Sequence, residues 1–302
     1  MLAILLQNIF NALQWGSFYS MIALGYCLVY GVLRLINFAH GDIFMAACYI
    51  AFFIASALLA IFSNGTVAFI VTLVLTMPLT ALLGLTIERV AYRPLRKKGV
   101  NRLYVVITAL MVGFILENGN LAFIGASSRR FPDMIEKQIW QIGPLVLTNL
   151  KVLVIVSAFA VYGALEFIVQ KTILGMSMRA ISYDSFAIPL MGIPLNAIIT
   201  FTFALGSSLA AVAGILYGLS YPVLSYDMGM ILGWKAFIAA VVGGIGVIKG
   251  AFAGGFILGF IEVFFASFFP SSFKDLISFV ILLIIMAIKP TGFFGVAKST
   301  KI

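Results

Sequence analysis

From Leu2 to Leu33 the chain carries no charged side chain, and its first charge is Arg34. Few folds can hold such a segment. As one helix it would run roughly 48 Å at about 1.5 Å per residue, well past the ~30 Å hydrocarbon core of a bilayer. Similar runs of about 20 apolar residues recur along the chain, the length a membrane-crossing helix needs. None shows the period-two alternation of an outer-membrane barrel strand. Composition agrees, with 63% hydrophobic and only 10% charged residues in 302. A soluble domain of that size must meet water with more charge. The expected fold class is an all-α integral membrane protein, a single transmembrane domain over residues 1–302.

The first run is long enough to divide. Gln7, Asn11 and Gln14 follow at i, i+4 and i+7, a polar stripe on one helical face. It suits either a separate interfacial helix or the lining of a water-accessible cavity, and the span proper is then expected from about Gly16 to Leu33. Further spans are expected at Ile43–Phe62, Val67–Ile87, Leu103–Phe123, Val152–Gln170, Leu195–Tyr217, Ile231–Ile248, Ala251–Phe269 and Leu276–Ile288. That makes about nine, within a range of eight to ten. The segment near 231–248 is either continuous or broken, because Gly243, Gly244 and Gly246 weaken a helix.

The net charge of +9 reads as an orientation signal. Arg89, Arg93, Arg96, Lys97, Lys98 and Arg102 form one basic cluster; Lys289, Lys298 and Lys301 form another. With both inside, nine alternating spans also bring Arg34, Lys171, Arg179 and Lys249 inside. The N-terminus is then expected outside and the C-terminus in the cytoplasm. The outside loop at 125–151 contains "RRFPDMIEKQIWQIGP" and suits a fold over the outer mouth, a surface for a soluble partner, or a solvated loop. The N-terminus lacks a basic leader region, so insertion is expected to start from the first helix.

Charges inside a bilayer are costly and mark candidate functional residues. Glu117, Glu166, Lys235 and Glu262 qualify, and the uncharged Gln7, Asn11, Gln14 and Asn37 join them as candidate pathway residues. Glu166 lies close enough to the inner boundary to snorkel. Lys235 and Glu262 are each about 20 Å along their spans from Lys249. They are expected to approach each other across two antiparallel neighbours; the alternative is that Lys235 reaches outward and Glu262 caps a water pocket. Gly246, Gly250 and Gly254 recur every fourth residue, a spacing for close helix packing or for a hinge, and Gly243 and Gly244 extend the set. Cys27 and Cys48 read as small buried hydrophobes, and His40 has no second ligand beside it, so no metal site is expected. No catalytic constellation or phosphate-binding GxxxxGK[ST] occurs, so an enzyme is not expected.

Four stretches carry a resemblance: "YGVLRLINFAHGDIFMAACYIAFFI" (Tyr30–Ile54), "IERVAYRPLR" (Ile87–Arg96), "GMSMRAISYDSFAIPLMGI" (Gly175–Ile193) and "GWKAFIAAVVGGIGVIKGAFAGGFILGFIE" (Gly233–Glu262). Together they resemble membrane permease subunits of branched-chain amino acid ABC importers, the LivH-like type. The first and fourth are shared with urea and short-amide importers, and "IERVAYRP" points to the amino-acid branch.

The resemblance implies a multi-pass protein of the bacterial inner membrane that forms half of a translocation path. It implies a second homologous permease, an extracytoplasmic substrate-binding protein, and two cytoplasmic ATPase subunits that bind ATP and Mg, with no cofactor in this chain. It also places an ATPase-coupling segment at 171–194. The family pattern G-x-x-M/C-R-A-x-x-x-D-x-x-x-A-x-x-x-G-I falls on Gly175, Met178, Arg179, Ala180, Asp184, Gly192 and Ile193, with Ile188 where the pattern has Ala. Leu174, Met178 and Ile181 would form an apolar stripe for a groove on an ATPase, with Arg179 and Asp184 fixing orientation by charge. Pro189 limits the helix. A urea or short-amide importer and a stand-alone secondary transporter using Glu117 and Glu262 remain the alternatives.

Overall fold

The computed structural model describes residues 2–62, 64–184 and 187–295. Of the residues singled out above, Lys298 and Lys301 lie outside these, as do Ser185 and Phe186 of the 171–194 segment. The architecture is a helical bundle: α1 Leu2–Leu33, α2 His40–Ile61, α3 Gly65–Ile87, α4 Arg93–Lys97, α5 Arg102–Ile124, α6 Asn149–Lys171, α7 Ile173–Tyr183, α8 Ala187–Leu190, α9 Leu195–Ser220, α10 Met228–Gly243, α11 Ile248–Phe268 and α12 Lys274–Ile288. Several N-termini are closed by side chains: Asn64 accepts from the Thr66 and Val67 amides, Asn101 from Leu103, and Thr148 from Lys151. Each satisfies donors that a helix start leaves open.

Seven helices among the described residues are long and apolar enough to cross a membrane, fewer than the nine expected. The difference lies in α10 and α12, which have 16 and 15 residues. They reach roughly 24 and 22 Å, short of a ~30 Å core. The expected division of the first run does not occur. α1 is continuous through Gly16, because no residue there breaks a helix. Gly16 instead meets the α11 backbone directly, where a Cβ would strike the Phe256 Cα. The α3 rod also outruns its expected end: a π-helical turn at Glu88–Tyr92 carries it into α4, so the basic cluster begins on a helix rather than in a loop.

α1 is the most enclosed span and α9 the next. Small residues let the backbones close in. A Cβ at Gly255 would strike Ser20, and one at Gly259 would strike Gly16. Close approach of this kind drives helix association where lipid removes the hydrophobic incentive. The glycine ladder likewise sits at close helix contacts. Gly243 faces the Gly250 carbonyl, and Gly254 faces that of Ala239. α10 stops at Gly243, with Gly244 at φ +114° and Gly246 at φ +92°, so the segment expected at 231–248 is a helix followed by a glycine turn. Phe123, Phe159, Phe167 and Leu283 stand exposed on the periphery, a surface suited to lipid or an apolar partner.

The 125–151 loop is structured. β2 (Ile139–Ile142) and β3 (Leu145–Thr148) form an antiparallel hairpin, and β1 (Arg129–Arg130) pairs with β4 (Val223–Leu224). Phe131 and Met134 are buried, and the Phe131 amide donates to the Pro222 carbonyl at 2.8 Å. Phe131, Met134 and Leu147 pin the loop to the bundle end, while strand β2 stays exposed.

Candidate functional site

The polar stripe of α1 opens one site. Gln7 pairs with β3 like an extra strand residue: its amide nitrogen donates to the Val146 carbonyl at 3.0 Å, and its oxygen accepts from the Val146 amide at 2.9 Å. Asn11 accepts from Lys151 Nζ at 2.7 Å. Asn11 and Lys151, with Gln14, Lys274 and Tyr221, line a polar cavity of about 410 Å³, whereas Gln7 is held by the hairpin. Asn11 and Gln14 of the stripe are cavity wall, and α1 is continuous where a separate interfacial helix was the alternative. Burial raises the Tyr221 phenol above its ordinary pKa, which keeps it a neutral hydrogen-bonding group.

Lys235 and Glu262 meet, with Nζ to Oε1 at 3.1 Å. Four helices converge there, α10 and α11 with α1 and α12. Tyr19 of α1 donates to Glu262 Oε2 at 2.6 Å, and the Ser278 hydroxyl of α12 donates to Oε1. Lys235 also reaches Asp275 at 2.8 Å. A buried carboxylate is tolerable when it has a cation and donors of this kind. Glu166 pairs with Lys249 at 3.6 Å.

A third site went unrecognised in the sequence. Asp42, in the first turn of α2, is 7% exposed and lines an apolar cavity of about 240 Å³ together with Glu117. Glu117 was singled out; Asp42 was missed because it stands one residue before the expected span. Its signal was the run "HGDIF", an acid and a glycine opening an apolar segment. His40 beside it is buried too, and its ring meets that of Tyr26 edge-on. Asn37 is buried and accepts from the Tyr92 hydroxyl at 2.6 Å.

Glu88 was also missed, because beside a basic cluster it reads as loop. It is fully buried, with Arg93 at 2.9 Å and Arg96 at 3.0 Å. The π-helical turn makes this possible, since the Arg93 amide bonds back five residues to the Glu88 carbonyl. Acid and base at i and i+5 were the available clue. Arg93 continues to Thr200 and Arg96 to Asn196, which tie the rod to α9.

The 171–194 segment contains α7, an amphipathic helix capped by Thr172. Its orientation corrects the expected docking stripe. Met178 is 1% exposed and Ile181 is buried with it in the chain's own core, while Leu174 is exposed. Gly175 is inward as well, pressed on the Ile168 and Val169 carbonyls. The Arg179 guanidinium donates to the Val169 carbonyl, a cation at the C-terminal end of α6. It therefore anchors α7 to its own chain. Arg34, at φ +55°, closes the other side by donating to the Ser182 carbonyl at 3.0 Å. The outward positions are Ile173, Met176 at 58% exposure and Tyr183 at 80%, with half-exposed Ala180 between them. Asp184 is exposed at the C-cap, and Gly192 takes φ +78° in the following turn.

Comparison with known proteins adds the remaining observation. The family described as "Branched-chain amino acid transport system / permease component" matches residues 8–286. The high-affinity branched-chain amino acid transport system permease protein BraD of Pseudomonas aeruginosa is 37% identical, over 98% of this chain and 98% of that protein. LivH of Escherichia coli K12, of the same description, is 34% identical over 98% and 97%.

Proposed function

The chain belongs to the branched-chain amino acid transport permease family, and on that premise we propose that it is one of two homologous permeases of an ATP-driven importer of branched-chain amino acids. The observation that carries the reading is the match along nearly the whole length, without large gaps in coverage. The protein is a multi-pass membrane protein, and transport rather than covalent chemistry is its work.

In this reading a soluble binding protein delivers substrate at the end closed by the hairpin loop, and two cytoplasmic ATPases dock at the opposite end. ATP hydrolysis resides in those partners. The N-terminus is outside and the C-terminus inside, with α10 and α12 completing nine crossings where the bilayer or a partner accommodates their short length. The distribution of basic residues supports that orientation.

The coupling surface is the outward stripe of α7, Ile173, Met176, Ala180 and Tyr183, with Leu190 and Met191 of the following segment, all but Ala180 well exposed. Residues at i, i+3, i+7 and i+10 share a helical face fit for a groove. Inward Met178 and Arg179 hold that face in place. Reconstitution with both permeases and the ATPases tests the reading. Leucine uptake that requires ATP supports it, while urea uptake in its place would move the chain to the amide-importing branch.

A further inference from the structure

The Asp42 cavity is built for a ligand the chain itself does not supply. Asp42 Oδ1 is buried and meets no hydrogen-bond donor among the described residues. The space around the carboxylate is kept by glycines: an added Cβ at Gly229 would stand 2.8 Å from Oδ1, and one at Gly113 would stand 2.5 Å from Oδ2. Glu117 is the second acid of the wall, one helical turn beyond Gly113, and no basic side chain lines the cavity among the described residues. Two carboxylates facing a largely apolar space repel each other, and a buried carboxylate without a partner is costly. A cation entering the cavity relieves both.

The remaining wall is apolar and aromatic, with Phe38, Leu110, Phe114, Met230 and Trp234. The ligand must therefore join a cationic head to a compact apolar body, and Trp234 adds a ring face that attracts cations. The volume of about 240 Å³ exceeds the ~150 Å³ of an apolar cavity that takes up benzene, leaving room for a slightly larger molecule. Phe114 and Met230 are each 48% exposed, so the cavity opens at the α5–α10 surface.

We propose that this cavity is the permease's own resting site for the transported amino acid. The α-ammonium lies on the Asp42 and Glu117 carboxylates, the aliphatic side chain lies against Phe38, Leu110 and Trp234, and the α-carboxylate, which the acidic wall repels, faces the open mouth at Phe114 and Met230. The proposal rests on the importer reading above and names a site which that reading leaves open.

The test uses the reconstituted complex carrying a Met230→Cys reporter at the cavity mouth; the native Cys27 and Cys48 are buried. Leucine and its des-amino analogue 4-methylpentanoate are the probes. Leucine is expected to slow thiol modification of the M230C reporter by about tenfold or more, the order of effect that one charge pair supplies; 4-methylpentanoate is not. Asp42→Asn and Glu117→Gln each remove the protection, and half-buried Glu117→Gln serves alone where Asp42→Asn fails to assemble. Equal protection by both probes, or none by leucine in a complex that still imports leucine, overturns the proposal and leaves the importer reading standing. A wild-type complex that imports no aliphatic amino acid overturns the reading and the proposal with it.

Discussion

Glu262 shows how a charge inside a bilayer is held. It accepts from Tyr19, Ser278 and Lys235, and Lys235 is shared with Asp275. Lys235→Met leaves the carboxylate with neutral donors alone and is expected to cost about 3 kcal/mol or more, read as a lower thermal midpoint in detergent. Adding Glu262→Gln to it should recover part of that loss, because the two residues are in contact and their effects do not add. Glu88 obeys the same rule between Arg93 and Arg96, and Glu88→Gln should lower the midpoint by a similar route. The Lys235–Glu262 pair was legible in the sequence because each charge interrupts an uncharged run at matching depth. Asp42 and Glu88 were not, since each stands at the edge of an apolar segment. Flanking acids of that kind look solvated until the fold shows what covers them.

Among the elements, α7 divides a face packed on its own chain from a face turned outward. The spacing i, i+4, i+7 picks out Leu174, Met178 and Ile181, and i, i+3, i+7, i+10 picks out Ile173, Met176, Ala180 and Tyr183. Both patterns are helical, and only tertiary packing decides which one the chain keeps for itself. Burial assigns Met178 and Ile181 inward. Met176→Asp is therefore expected to lower leucine uptake severalfold while the purified chain keeps its thermal midpoint. Met178→Asp should prevent stable insertion, since a charge in that core has no partner. Uptake and melting measured on the same two variants separate these outcomes. α1 gives the opposite lesson. Its apolar length was plain in the sequence, but the continuity was not. Of the three polar residues that suggested a break, Gln7 instead finds its partner in β3 and Asn11 in α6, and Asn11 and Gln14 line one cavity.

At the scale of the whole molecule, helical class and most span positions could be read from hydropathy alone, because lipid permits few ways to satisfy a backbone. The lengths of α10 and α12 could not, since their ends are set by a glycine turn and by packing rather than by composition. The orientation proposed from the basic residues predicts that a membrane-impermeant amine reagent applied to intact cells labels exposed Lys137 in the hairpin loop and spares exposed Lys97 at the end of the α3 rod. The proposed function requires this chain to carry branched-chain amino acids only as part of an ATP-driven assembly. Its most direct measurement is leucine accumulation in vesicles holding both permeases, the ATPases and the binding protein, with ATP supplied or withheld. Accumulation that stops when ATP or this chain is omitted is the predicted result. Leucine uptake by this chain alone, undiminished without ATP, would make it a stand-alone transporter and overturn the proposed function.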